Sequence, residues 1–211
     1  MNVFVLCTGR CGSVSIIKAC EFMENYTCGH EERAGFIGEE RLAYPENHIE
    51  ADNRLSWYFG RLHFKYGNEA FYVHLTRDIN ATAKSYAKRH TVGIMHAFAD
   101  GLLRKKTLSE NATEPLPLAT EICETADANI RHFLSDKTNK CVIRLEHIKE
   151  DFAVFWKAID AQGDFDSALE SFNNPHNTSK DFMETYRKMK KSRFRRAVKE
   201  KIKSFLRIFS R

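Results

Sequence analysis

The chain has 211 residues, 43% hydrophobic and 12% aromatic, which suits one domain with a full core and excludes a disordered chain. The run Val3 to Cys7 is far too short for a membrane span or a signal-peptide core, so a soluble cytoplasmic protein is expected. The net charge of +5 is concentrated in residues 187–211, where Glu200 is the single acidic residue; the remainder is slightly acidic, so a nucleic-acid-binding reading would rest on that tail alone.

In chain order, Val3 to Cys7 reads as a buried strand: short, β-branched and closed by a glycine turn. Ser13 to about Asn25 comes next as a helix with Ile16, Ile17, Cys20 and Phe22 as apolar positions. Ile49 to about Tyr66 reads as a helix with Leu55, Tyr58, Phe59 and Leu62 on one face. Ala70 to Thr76 is a second strand, leading into a helix near Asn80. Leu108 to Leu118, with two prolines, reads as a surface loop, and Leu118 to Ser135 as a helix. A third strand, Cys141 to Glu146, precedes a helix carrying Ile148, Phe152, Phe155, Trp156 and Ile159. Three strand-then-helix units predict an α/β fold with a mainly parallel sheet.

The six cysteines form no C-x-x-C pair and are expected as reduced thiols. Cys28 and His30 lack a second ligand pair at usable spacing, so no metal is expected.

The stretch "TGRCGSVS", Thr8 to Ser15, lies between the first strand and the first helix. Backbone N–H groups at a helix N-terminus make an anion site, and Gly9 and Gly12 let the backbone approach phosphate oxygens. Ser13 and Ser15 add hydroxyls and Arg10 a charged fork. Cys11 sits where a helix N-terminus and Arg10 both favour thiolate. The loop has no Gly-Lys-Ser or Gly-Lys-Thr, whose hydroxyl holds Mg²⁺ in nucleotide hydrolases, so a reaction that does not depend on magnesium is expected.

On this loop the chain resembles the sulfotransferase superfamily, whose phosphosulfate loop carries a Lys or Arg and then Gly-Ser or Gly-Thr. A second motif agrees: "HLTRDINATAKSY" places Ser85 eight residues after Arg77 at a strand end, with Ile79 where the family usually has Pro. The resemblance implies a three-layer P-loop-like fold over residues 1–186. It also implies a sulfuryl donor, 3′-phosphoadenosine 5′-phosphosulfate, leaving as 3′-phosphoadenosine 5′-phosphate, with no metal. The donor's 5′ end would meet Arg10, Cys11, Gly12, Ser13, Val14 and Ser15, and its 3′-phosphate Arg77 and Ser85. A weaker match, "VIRLEHIKEDF", has Leu145 where Tyr is usual and reads as scaffold. Asn177, with Ser179, is expected in a loop closing over the nucleotide. The cytosolic branch's Arg-Lys-Gly signature is absent.

Sulfuryl transfer needs cations over the leaving phosphate, a role for Arg10, and a base for the acceptor. Relatives place a base just after the first helix, making Glu31 the first candidate, His30 the second and Glu32 the third. Glu50, Asp52, Asn53, Arg54 and Trp57 form a candidate acceptor wall suited to a hydroxyl-bearing small molecule such as a carbohydrate, with Asp52 also a candidate helix cap. Residues 187–211 read as a basic amphipathic helical tail that docks on the domain or touches anionic lipid, with no nucleic-acid partner expected. The competing readings are a P-loop small-molecule kinase and a non-catalytic anion- or nucleic-acid-binding module.

Overall fold

Among the described residues five short strands form one sheet, and the outer two on one side are only partly apolar in sequence. A computed structural model describes residues 1–90, 93–103 and 115–174. The strands are β1 (Val3–Cys7), β2 (Thr27–His30), β3 (His48–Ala51), β4 (Phe71–Thr76) and β5 (Lys140–Arg144). They run in the order β2-β3-β1-β4-β5, every neighbouring pair parallel. Among the described residues the helices are α1 (Ser13–Cys20), α2 (Phe59–Tyr66), α3 (Ile79–Ala87), α4 (Gly93–Ala97), α5 (Pro115–Phe133), α6 (Ile148–Ala158) and α7 (Phe165–Ser171). None of them is long and apolar enough to cross a membrane.

A parallel sheet is covered on both faces, so its central strands are apolar at every position. β1 is buried throughout: Val3, Val5 and Cys7 pack with Ile16 and Ile17 of α1 and Phe152 and Phe155 of α6. Phe4 and Leu6 pack on the other face with Leu62 of α2 and Ile130 and Phe133 of α5. A further cluster joins α3 to α5 through Ala83, Tyr86, Leu118 and Ile122. The result is the expected α/β three-layer arrangement. Because β1 lies between β3 and β4, the connections around it leave on opposite faces, and its carboxyl end opens into a crevice where α/β folds bind ligands.

Several elements differ from the sequence reading: α4 and α7 were not expected, and α5 begins at Pro115, inside the loop expected over Leu108 to Leu118. Ile49 to Tyr66 is not one helix: it comprises β3, a 3₁₀ turn over Asn53–Trp57 and α2. The period-3.6 pattern holds for Leu55 and Leu62, which share one buried cluster. It does not extend back to Ile49, because His48 and Glu50, polar but buried, belong to a strand and pair with each other at 3.2 Å. β2 escapes a periodicity reading for the same reason, since its Thr27 meets His48 Nδ1 at 2.9 Å. Finally, α1 stops at Cys20 instead of Asn25, whose side chain turns to bond Asp160 O and Gln162 N. The expected tail boundary at 186/187, Asn177 and Ser179 lie outside the described residues.

Asp52 comes directly after β3 and holds the 3₁₀ turn in place. One oxygen meets Arg41 Nη2 at 2.5 Å and the other accepts Arg54 N–H at 2.8 Å, capping the turn as anticipated. Arg41 and Asp52 are both fully buried, and Arg41 also donates to Tyr44 Oη at 3.1 Å. Removing one partner of such a pair leaves an uncompensated buried charge. Asp52→Ala is expected to cost about 3–5 kcal/mol in urea denaturation, whereas the Arg41→Met/Asp52→Leu pair should cost far less. A single-variant loss under about 1 kcal/mol would show that this pair does not hold the turn.

Candidate functional site

Beyond Cys7 the chain leaves the sheet through three residues in the left-handed region: Gly9 (φ 83°), Arg10 (φ 60°) and Gly12 (φ 96°). A side chain at either glycine would collide with neighbours. A Cβ on Gly12 would lie 2.6 Å from Leu145 Cδ1, and one on Gly9 would lie 2.7 Å from Asn53 Nδ2 and nearer still to Tyr86 Oη. Arg10 is not a glycine, and a left-handed backbone there costs on the order of 1–3 kcal/mol, strain that concentrates at ligand clamps.

The loop is held by α3. Tyr86 Oη donates to Thr8 O at 2.6 Å and accepts from Asn53 Nδ2 at 3.2 Å, while burial keeps the phenol protonated by raising its pKa. Ser85 accepts from Arg10 Nε at 3.2 Å, and Arg77 Nη1 donates to Arg10 O at 3.1 Å. Thus the two motifs, 67 and 75 residues apart in sequence, meet on one residue. Burial lowers the Arg10 pKa, and the neighbouring Arg77 charge adds to that effect. The Arg77 charge felt at Arg10 favours an anion near the loop.

α1 begins at Ser13 with Gly12 as its N-cap and no side chain capping it, and no acidic residue stands in its first turn. No side chain therefore competes for the N–H groups of Ser13, Val14 and Ser15. Cys11 differs from expectation. Its side chain is fully buried among Cys7, Ile16 and Ile17, so it offers a ligand no accessible thiol. Its pKa is lowered, as anticipated, but chiefly by a hydrogen bond from Cys7.

The base candidates sit at the carboxyl end of β2. His30 Nε2 lies 3.0 Å from Ser13 Oγ, which brings it onto the anion loop. Glu31 (φ 57°) pairs with Arg54 Nη1 at 2.5 Å. Glu32 turns toward β3, its N–H donating to Glu50 Oε1 at 3.0 Å. Among the described residues, ligand atoms of Glu32, His48 and Glu50 lie within 4.8 Å of one another, a grouping the sequence reading missed because it sets β2 against β3. Burial raises the Glu50 pKa, and His48 offsets part of the rise.

The acceptor wall divides. Glu50 and Asp52 are consumed by buried pairs and Arg54 by Glu31, whereas Asn53 and Trp57 line a cavity of about 110 Å³ that begins at Thr8. Ile94, Phe98, Leu102, Ile122 and Ala126 complete its apolar lining, and sequence periodicity had no means of pointing to them, since they come from α4, the π-helical turn Phe98–Leu102 and α5. Tyr86 was also missed, although it stands next to Ser85 in the chain. The segment after β5 is scaffold: Leu145 packs on Gly12, and Glu146 accepts the Asp78 N–H at 3.0 Å.

No protein-family profile matches the chain, and no curated protein matches it in sequence. Among solved structures, it is similar to a sulfotransferase domain from the curacin biosynthetic pathway, with a TM-score of 0.52 at 13% identity. That alignment covers 82% of this chain and 78% of the other. The five-stranded parallel sheet with helices on both faces is thus a sulfotransferase-like fold.

Proposed function

We propose that the chain is a sulfotransferase, moving a sulfuryl group from 3′-phosphoadenosine 5′-phosphosulfate to a hydroxyl-bearing small molecule. The observation that carries this reading is the meeting of Arg77 and Ser85 on Arg10, beside an uncapped helix N-terminus. It supplies positive charge at two positions, as a nucleotide with phosphates at both 5′ and 3′ ends requires. Ser13, Val14 and Ser15 amides with Arg10 fit the 5′ end, and Arg77 with Ser85 the 3′-phosphate. A kinase reading is less well supported, because the loop has neither the Lys nor the adjoining hydroxyl that would hold Mg²⁺.

When bound, the donor supplies a sulfur–oxygen bond that breaks as the acceptor oxygen bonds to sulfur, leaving negative charge on the 5′-phosphate. Arg10 and the loop amides stabilise that charge where it develops. The acceptor's proton goes to a base, and His30 is the better placed candidate because it contacts Ser13 within the loop. With Ser13 donating, Nε2 is the unprotonated nitrogen, and the acceptor's hydroxyl replaces Ser13 on its lone pair as it is deprotonated. Protonating Glu31 would first disturb its ion pair with Arg54.

Ser85→Ala and Arg77→Ala are each expected to weaken 3′-phosphoadenosine 5′-phosphate by about 1.5–3 kcal/mol more than adenosine 5′-phosphate, which loses only what the loosened Arg10 contributes. Calorimetric titration measures both. Equal weakening of the two nucleotides would remove this pair from the 3′-phosphate site.

For the base, His30→Ala should lower kcat by roughly 10²–10⁴-fold with donor affinity kept, and Glu31→Gln should do much less. The reverse ranking would return the role to Glu31, and indifference to both would show that the proton leaves elsewhere.

A further inference from the structure

Asn53 has one end that is spoken for and one that is not. Tyr86 has a single hydroxyl proton, and Thr8 O, a carbonyl, can only accept it. Tyr86 Oη must therefore act as acceptor toward Asn53, which fixes the amide with Nδ2 facing Tyr86 and Oδ1 facing away. That Oδ1 is buried and has no hydrogen-bond partner. A buried carbonyl left in this state is costly, and a ligand hydroxyl would repair it with one hydrogen bond.

The residue lines the cavity beside Thr8, the position where β1 gives way to the anion loop. Phe98 and Ile122 form a buried floor, and half of the Trp57 surface is exposed at the wall. Two hydroxyls lining the cavity are already donating: Thr8 Oγ1 to Gly9 O at 3.0 Å and Ser56 Oγ to Asn53 O at 2.9 Å. Thr125 and Asn129 stand at the solvent-facing mouth. At about 110 Å³ the space is of the order that holds one ring, since an apolar cavity of about 150 Å³ takes up benzene.

We infer that this cavity is the acceptor pocket, that it takes a compact apolar alcohol of about one ring, and that Asn53 Oδ1 positions its hydroxyl. The inference rests on the sulfotransferase reading in treating the bound hydroxyl as the acceptor. It narrows the expectation of a carbohydrate: a further hydroxyl in the interior would be desolvated against Phe98, Ile94 or Ile122, and only one at the mouth could meet Thr125 or Asn129. Asn53 is a positioning residue: its Oδ1 holds the hydroxyl's one proton in the resting complex and releases it to the base as transfer begins, and its own orientation is set by the same Tyr86 that pins the loop. Loop and pocket are thereby held in one register.

Isothermal titration of the full chain tests this without turnover. 4-Methylphenol should bind at least tenfold more tightly than toluene, which has the same body and no hydroxyl, and far more tightly than glucose. Asn53→Leu should abolish the preference over toluene. Ala126→Phe, which fills the cavity from α5, should weaken 4-methylphenol at least tenfold with the melting temperature kept. If that variant does not fold, the 4-methylphenol to toluene ratio on the unaltered chain still decides. Equal binding of those two ligands, tighter binding of glucose, or indifference to Ala126→Phe would each overturn the inference. A parallel titration with 3′-phosphoadenosine 5′-phosphate separates the two readings: its failure with the phenol preference intact would contradict the sulfotransferase proposal and leave the pocket standing.

Discussion

Arg10 is held in a left-handed backbone by contacts from a different strand–helix unit, and the site is organised around that constraint. Arg77 grips its carbonyl and Ser85 its guanidinium, while Tyr86 secures Thr8 two residues earlier. All three come from the carboxyl end of β4 and from α3, the unit adjacent to β1 in the sheet. The parallel pairing of β1 with β4 therefore fixes where the loop can go, and α3 fixes its conformation. The Arg77 charge felt at the partly buried Arg10 is unfavourable by itself. An anion near the loop reverses the sign of that cost.

A second chain of contacts reaches the site from the opposite side. Asp52, held by buried Arg41, caps the turn that carries Asn53 and Trp57, and Arg54 of that turn engages Glu31 at the end of β2. Stability and specificity are linked here in a simple way. The pair that stabilises the start of the turn also sets the side chains lining the cavity. Asn53 touches both systems, since its amide bonds Tyr86 while its backbone belongs to the Asp52-capped turn.

The parts legible in sequence were those carried by local signals. β1, β4 and β5 are apolar runs succeeded by helical patterns, and β1 appears with the bounds expected while β4 and β5 shift slightly at their ends. The loop glycines and the Arg77–Ser85 spacing could be read because each motif is contiguous. β2 and β3 were not legible: "TCGH" and "HIEA" contain polar residues that periodicity assigns to the surface, yet His48 and Glu50 are buried through mutual pairing. Cys11 looked like a reactive loop thiol and lies in the core, because the turn sends Arg10 outward and its neighbour inward. The cavity needed three dimensions, as its walls come from segments spread between Thr8 and Asn129.

The central claim is that the anion site is built for a nucleotide phosphorylated at both ends and not for a triphosphate with magnesium. Competitive calorimetry between 3′-phosphoadenosine 5′-phosphate and ATP with Mg²⁺ tests it most directly. The account predicts that the bisphosphate binds at least tenfold more tightly and that omitting Mg²⁺ leaves its affinity unchanged. Tighter binding of ATP, dependent on Mg²⁺, would contradict it and return the loop to the kinase reading.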